Sequence, residues 1–204
     1  MICALMIGRA GSKGFPGKNL KKILGRSLYE YSLVAAKKSK YIDRIFISSD
    51  CPTIIRGGKK YGATIIKRPR KLADSKALGE DVFRHGYFEI LKKLKLDSKK
   101  IEFIVLLMAN APTITDKLID KGIDILKKNK NFDSAVTTSV YNMWSPLRAR
   151  KMDKNKLLKP FVPFKAFGNP KTLNCDRDSQ GKVFYADMSV SIVRPKCLEK
   201  IESG

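Results

Sequence analysis

The sequence is short of the residues from which many reactive centres are built, with one histidine and four cysteines among 204 residues. A single imidazole excludes a His-based metal cluster, and any Ser-His-Asp arrangement would have to use His85 itself. His85 follows Asp81, Val82, Phe83 and Arg84 in a helical pattern, where a place on a helix face is the simpler reading. Cys3, Cys51, Cys175 and Cys197 are scattered and make no CxxC pair. That spacing argues against a zinc ribbon or a disulfide-stapled scaffold and leaves reduced, structural thiols. No apolar run approaches the roughly 20 residues of a membrane span. The opening Met1–Ile7 is too short, and lacks the basic lead, to be a signal peptide. A soluble, cytoplasmic protein is expected.

Negative charge is also scarce: 19 Asp+Glu stand against 42 Lys+Arg, a formal charge of +23. Hydrophobic residues make up 43% of the chain, enough for a real core, so the excess charge must lie on the surface. Such a surface invites nucleic acid, an anionic membrane or a phosphorylated substrate. The lysines are spread through six doublets, Lys21-Lys22, Lys37-Lys38, Lys59-Lys60, Lys92-Lys93, Lys99-Lys100 and Lys127-Lys128, mostly on the polar faces or at the ends of expected helices. A solvated surface is the simpler reading of each doublet. There is no RNP, KH, zinc-finger or basic-zipper pattern, and aromatic residues do not interleave with the basic ones. Neither a nucleic-acid nor a membrane partner is expected.

Strand and helix patterns alternate along the chain. Cys3–Ile7, Ile45–Ile47, Ala63–Ile66, Ile101–Met108 and Ser134–Val140 read as strands. Between them, the segment around Leu28–Ala35, Ile54–Tyr61, Asp81–Leu96 and Leu118–Leu126 read as helices. The pattern predicts an α/β fold with a mostly parallel central sheet flanked by helices on both faces. Residues 1–140 are assigned to this core. From residue 141 to 182 Pro146, Pro160, Pro163 and Pro170 interrupt the pattern, and this excursion is expected to cap a site or make a dimer contact. Residues 183–204 bring a return strand and the start of a last helix, and the native chain is expected to continue past it.

The segment that carries chemistry is Gly8-Arg9-Ala10-Gly11-Ser12-Lys13-Gly14-Phe15-Pro16-Gly17-Lys18-Asn19, at the end of the first strand. Ligands of open α/β sheets gather at the carboxyl ends of strands. Glycine at every third position permits positive φ and close backbone approach, while Arg9, Lys13 and Lys18 supply cations for a polyphosphate. The P-loop pattern GxxxxGK[ST] fails, because Ser12 stands five before Gly17 and Asn19 follows Lys18. The dinucleotide pattern GxGxxG fails because the glycines are three apart.

Arg9 to Leu20 resembles the signature RxxSKGxPxKNL of the acylneuraminate cytidylyltransferases, or CMP-sialic acid synthetases, of the nucleotide-diphospho-sugar transferase superfamily. Ser39-Lys40-Tyr41-Ile42-Asp43-Arg44-Ile45-Phe46-Ile47-Ser48-Ser49-Asp50 is similar to the family's SKYIDRIIVSTD, and Arg68-Pro69 with Leu72-Ala73 continues the likeness. The resemblance implies a nucleotidyltransferase fold related to the glycosyltransferase A type. It also implies transfer of CMP from CTP to a nonulosonic sugar acid with release of pyrophosphate, for surface glycan biosynthesis in lipopolysaccharide or capsule. Arg9, Gly11, Ser12, Lys13, Gly14, Lys18 and Asn19 match the phosphate-binding loop, with Arg9 and Lys18 as the catalytic cations. Arg68, Ala77 and Gly79 match the segment that reads cytosine; a surface place for Arg68 beside Pro69 is the alternative.

Further along the likeness thins. The family's LLQPTSPLR stands as Leu106-Leu107-Met108-Ala109-Asn110-Ala111-Pro112-Thr113-Ile114, with Met108 for glutamine and Ile114 for arginine. FRPNGAIYI stands as Phe184-Tyr185-Ala186-Asp187-Met188-Ser189-Val190-Ser191-Ile192. Met108, Asn110, Arg148, Arg177 and Asp187 are the positions matched to the acceptor. Losing one cation and gaining one carboxylate implies an altered acceptor pocket. CTP chemistry implies Mg2+ or Mn2+, and the family's C-terminal Asp-x-Asp pair is expected beyond Gly204, where this sequence stops. Asp187 and Asp50 are the substitute ligands, and Asp50 could equally cap the helix that follows it. CTP, a small acidic acceptor and a second copy of the chain are the expected partners. The alternatives are a phosphorylated or non-sugar acid acceptor, a non-catalytic nucleotide-binding relative, and a basic nucleic-acid-binding protein.

Overall fold

A computed structural model describes residues 1–12, 14–74, 76–141, 144–172, 174 and 181–200. Its strands, in chain order, are β1 (Ile2–Ile7), β2 (Lys22–Ile23), β3 (Arg26–Ser27), β4 (Arg44–Ser49), β5 (Thr64–Lys67), β6 (Phe103–Met108), β7 (Ser134–Val140), β8 (Arg150–Met152), β9 (Leu158–Pro160) and β10 (Phe184–Val193). The helices are α1 (Leu28–Lys38), α2 (Pro52–Lys60), α3 (Arg70–Ala73), α4 (Gly79–Leu94), α5 (Asp116–Lys128) and α6 (Pro195–Glu199). Six strands form one sheet in the order β5-β4-β1-β6-β10-β7. β1 pairs in parallel with β4 and β6, and β4 with β5, while β10 runs antiparallel to β6. The strand-helix alternation therefore gives the mostly parallel α/β sheet that it predicts.

The two faces of the sheet carry two cores. On one, Ala4, Met6, Ile47, Val105 and Leu107 meet Leu33 of α1, Ile54 of α2 and Ile119, Ile123 and Leu126 of α5. On the other, Cys3, Leu5, Phe46, Ile104 and Leu106 meet Val82, Phe83, Tyr87 and Ile90 of α4 and Leu198 of α6. β1 is buried over all six residues, as its unbroken apolar run requires of a strand covered on both faces. α4 lies so close to β1 that a Cβ on Gly86 would come within 2.5 Å of Leu5 Cδ2, which only a bare Cα avoids. Burial pushes the Cys3 thiol up to about 12, so it stays protonated and inert. Cys3, Cys51 and Cys197 are free thiols, whereas Cys175 lies outside the described residues.

Local chemistry sets the helix ends. The Ser27 N–H donates to Glu30 Oε2 (2.9 Å) in a capping box that opens α1, and Thr115 caps α5 by accepting from the Leu118 N–H (3.2 Å). α4 stops at Leu94, before the expected Leu96, because Lys95 turns left-handed (φ 52°). Among the described residues no helix is long and apolar enough to cross a membrane.

The chain divides into two compact units, Met1–Thr137 with Met188–Gly204, and Thr138–Asp187. The second unit holds the β8–β9 hairpin and short turns around Pro146–Arg148 and Phe164–Phe167. Arg150 braces it, donating to the Leu147 carbonyl (2.7 Å) with its guanidinium over the Phe164 ring at 5.2 Å.

Candidate nucleotide site

Four parallel strands deliver their carboxyl ends to one edge of the first unit, and a cavity of about 420 Å3 opens there. Its volume suits a small-molecule ligand. Arg9, Ser12, Gly14, Lys18 and Asn19 from the glycine loop line it, with Arg68 after β5, Ala77 and Gly79 at the entry to α4, and Met108 and Asn110 after β6. These segments lie far apart in sequence and meet because β1 sits centrally between β4 and β6.

The loop is held by specific contacts. The Gly8 N–H donates to the Ser48 carbonyl (3.2 Å), and a Cβ on Gly8 would fall 2.8 Å from that of Ala109. Glycine at position 8 thus permits close approach to the end of β6. The buried Asn19 donates from Nδ2 to the Arg9 carbonyl (3.2 Å), drawing the two ends of the loop together. Of the glycines at 8, 11, 14 and 17, only Gly17 adopts positive φ (69°), where it opens the 3-10 turn Lys18–Leu20. Of the two uses expected for the series, Gly17 serves positive φ and Gly8 close approach. At Gly11 and Gly14 an added Cβ would meet nothing within 4 Å, and Gly11 is not part of the cavity lining.

Arg68 is only 7% exposed, which settles the alternative of a surface arginine against it. Its Nε donates to Ser48 Oγ (3.3 Å) and its Nη2 to the Ser48 carbonyl. Burial draws its pKa below the ordinary value, Asp50 opposes that shift and Arg9 reinforces it. The guanidinium remains charged, since arginine loses its proton only far above neutral pH. The Asp50 carboxylate accepts the Ala10 N–H (3.0 Å). It does not cap α2, whose N-cap is Cys51. Asp50 therefore pins the loop from the end of β4.

Three cations, Arg9, Lys18 and Arg68, face a lining whose one carboxylate among the described residues is Asp74. Such a cleft draws anions. Sequence reasoning missed Asp74, Phe15, Leu72 and Val82 in this wall, and Ser48 behind Arg68. The Ser48-Ser49-Asp50 run at a strand end was the available signal for Ser48, and Phe15 and Leu72 stand inside the matched segments, whereas Val82 reads only as a core position of its helix. Lys13 and Arg177 lie outside the described residues. Arg148 and Asp187 belong to the second unit, where the Asp187 carboxylate accepts from Ser139 Oγ (3.1 Å). Among the described residues no group of three His, Cys, Asp or Glu converges on a metal position.

A second cavity of about 230 Å3 opens within the first unit, among Phe83, Leu106, Val136, Met188, Ser191 and Val193. It shares Gly79 and Met108 with the cationic cleft.

The pseudaminic acid cytidylyltransferase and UDP-2,4-diacetamido-2,4,6-trideoxy-beta-L-altropyranose hydrolase of Helicobacter pylori is 26% identical over 170 residues, 83% of this chain and 31% of that protein. The CMP-N,N'-diacetyllegionaminic acid synthase of Legionella pneumophila is 28% identical over 160 residues, 78% of this chain and 66% of that protein. The chain thus spans from under a third to about two thirds of the length of these relatives. Among solved structures, CMP:2-keto-3-deoxy-manno-octonic acid synthetase complexed with CTP superposes with a TM-score of 0.65 at 15% identity, covering 99% of this chain and 79% of its own, which establishes a shared fold. Residues 3–196 match the family described as cytidylyltransferase, and the chain belongs to that family.

Proposed function

We propose that this protein transfers the cytidylyl group of CTP to a sialic-acid-like, nonulosonic sugar acid and releases pyrophosphate. The observation that carries this reading is the convergence of Arg9, Lys18 and the buried Arg68 on one cleft at the carboxyl end of β1. In the reaction an acceptor hydroxyl oxygen attacks the α-phosphorus. The new P–O bond forms as the bond to the β-phosphate breaks, the electron pair leaves with pyrophosphate, and the hydroxyl proton passes to solvent. Catalysis then rests on positioning and on offsetting charge at the leaving group. Arg9 and Lys18 take the phosphates; Arg68, with Ala77 and Gly79, takes the base.

Within the first unit the Asp50 carboxylate is engaged by the Ala10 N–H, and Asp74 is the one carboxylate among the described residues of the cleft lining. In this proposal Mg2+ or Mn2+ arrives on the triphosphate and offsets its charge, and no step is routed through a protein-held ion. The acceptor lies beyond Met108 and Asn110, with its acyl or deoxy groups in the apolar side cavity; the names of the pseudaminic and legionaminic acid relatives support such substituents. We place the reaction in the cytoplasm, where CTP is made, serving a surface glycan. The active form in this proposal is a homodimer joined through the second unit, where Trp144, Met152, Leu158, Phe161 and Phe184 are all at least 60% exposed.

Pyrophosphate release tests the reading. With CTP and magnesium, turnover is expected with pseudaminic, legionaminic or N-acetylneuraminic acid. Turnover only with a phosphorylated or non-sugar acid would move the acceptor class, and CTP binding with none of them would indicate a non-catalytic relative.

A further inference from the structure

The cleft uses few of the 42 basic residues, and the fold shows where many of the others go. In a sheet of parallel strands joined by helices, each helix returns the chain to the amino ends of the strands. α1, α2, α4 and α5 all make that return, and each closes on a lysine doublet in its last turn. The Lys99-Lys100 doublet precedes β6 at the same edge, where the Met1 ammonium donates to the Lys100 carbonyl (3.1 Å). Five of the six doublets, twenty or more residues apart for the most part in sequence, thus share one pole opposite the cleft, and all ten lysines are exposed. Helix dipoles favour a cation at each helix end, but they do not account for Lys99-Lys100.

Several carboxylates at this pole are tied to backbone or to side-chain partners. Asp43 accepts the Ile2 N–H (2.7 Å), Asp97 accepts the Lys99 N–H (2.9 Å), Asp124 faces Lys40 at 4.0 Å and Asp133 pairs with Lys196. Two large apolar side chains stand out of the same edge: Phe132, 51% exposed in the turn between α5 and β7, and Met1, 42% exposed. The Phe132 turn is rigid, since Arg194 donates to the carbonyls of Leu126 (3.0 Å) and Phe132 (2.9 Å).

We propose that this lysine pole docks the protein on an anionic lipid bilayer, with Phe132 and Met1 entering the headgroup region and the cleft turned away from the membrane. Lysine is a compact point charge suited to a diffuse anionic surface, whereas bidentate reading of nucleic acid favours arginine. The charges come from four helices and a loop around one pole, and the apolar residues are isolated rather than arrayed for base stacking. The proposal revises the expectation of no membrane partner, and it does not depend on the identity of the sugar acceptor.

The full chain is floated with vesicles of phosphatidylcholine alone and with about 30% phosphatidylglycerol, at about 100 mM and about 500 mM salt. Partition about tenfold higher into the anionic vesicles, lost at high salt, is expected. Reversing Lys59, Lys60, Lys99 and Lys100 to Glu should abolish it, and Phe132→Ala should weaken it several-fold, with CTP titration unchanged in both variants. No anionic partition at the lower salt, partition indifferent to the four reversals or to Phe132→Ala, or retention of poly(U) RNA in preference to the vesicles would overturn the proposal.

Discussion

Asp50 and Arg68 meet near Ser48 at the carboxyl end of β4, and together they show how single residues build the cleft. A buried guanidinium costs free energy unless its N–H groups are satisfied and a countercharge is near. Ser48 supplies the acceptors and Asp50 the countercharge. The same Asp50 carboxylate holds the Ala10 amide, so it also fixes the glycine loop. Asp50→Ala should therefore raise the Kd for CTP about tenfold, whereas Asp50→Asn, which keeps an acceptor oxygen, should recover most of the affinity. Titration of both variants, with amide exchange across residues 8–12 in the ligand-free protein, checks this; equal behaviour of Ala and Asn would assign the effect to charge alone.

At the scale of elements, α1 is anchored through Glu30, which accepts the Ser27 N–H (2.9 Å) with one oxygen and the Tyr61 hydroxyl (2.9 Å) with the other. Glu30→Ala should lower stability by about 1–2 kcal/mol, seen as a fall in the denaturation midpoint, with Glu30→Gln less affected. The side cavity depends on the small Ser191 of β10, opposite Leu106 in the strand register. Filling it with Ser191→Tyr should raise the acceptor KM several-fold and leave CTP affinity unchanged, as steady-state kinetics would show. Strands β1 and β6 and the core helices were legible in the sequence because continuous apolar runs and 3.6-residue periods mark elements buried in a parallel sheet, whereas the mostly exposed edge strand β7 was legible from its β-branched residues. The glycine loop's place at the cleft was legible from its composition and its position after the first strand. Asp50 was not assignable, because a carboxylate two residues before a helix reads as a cap until the partner amide, forty residues away in the chain, is seen. The common pole of the doublets was hidden for the same reason: topology, not local pattern, brings them together.

For the whole molecule, the fold separates two electrostatic tasks between the ends of one sheet, a cationic cleft at the carboxyl edge and a lysine pole at the amino edge. The second unit exposes Trp144, Met152, Leu158, Phe161 and Phe184, each to at least 60%. Trp144→Glu with Phe161→Glu should convert a dimer to monomers in sedimentation-velocity experiments without changing CTP affinity, and an unchanged sedimentation coefficient would remove the second unit as the dimer contact. Everything proposed for catalysis depends on CTP occupying the cleft. The decisive measurement is calorimetric titration of the full chain with CTP, UTP, ATP and GTP, in the presence of magnesium and at moderate salt. CTP should bind at least about tenfold more tightly than the others, and Arg68→Ala should erase that preference while retaining weak triphosphate binding. Equal, weak binding of all four nucleotides by the unaltered protein, or a CTP preference that survives Arg68→Ala, would contradict the account.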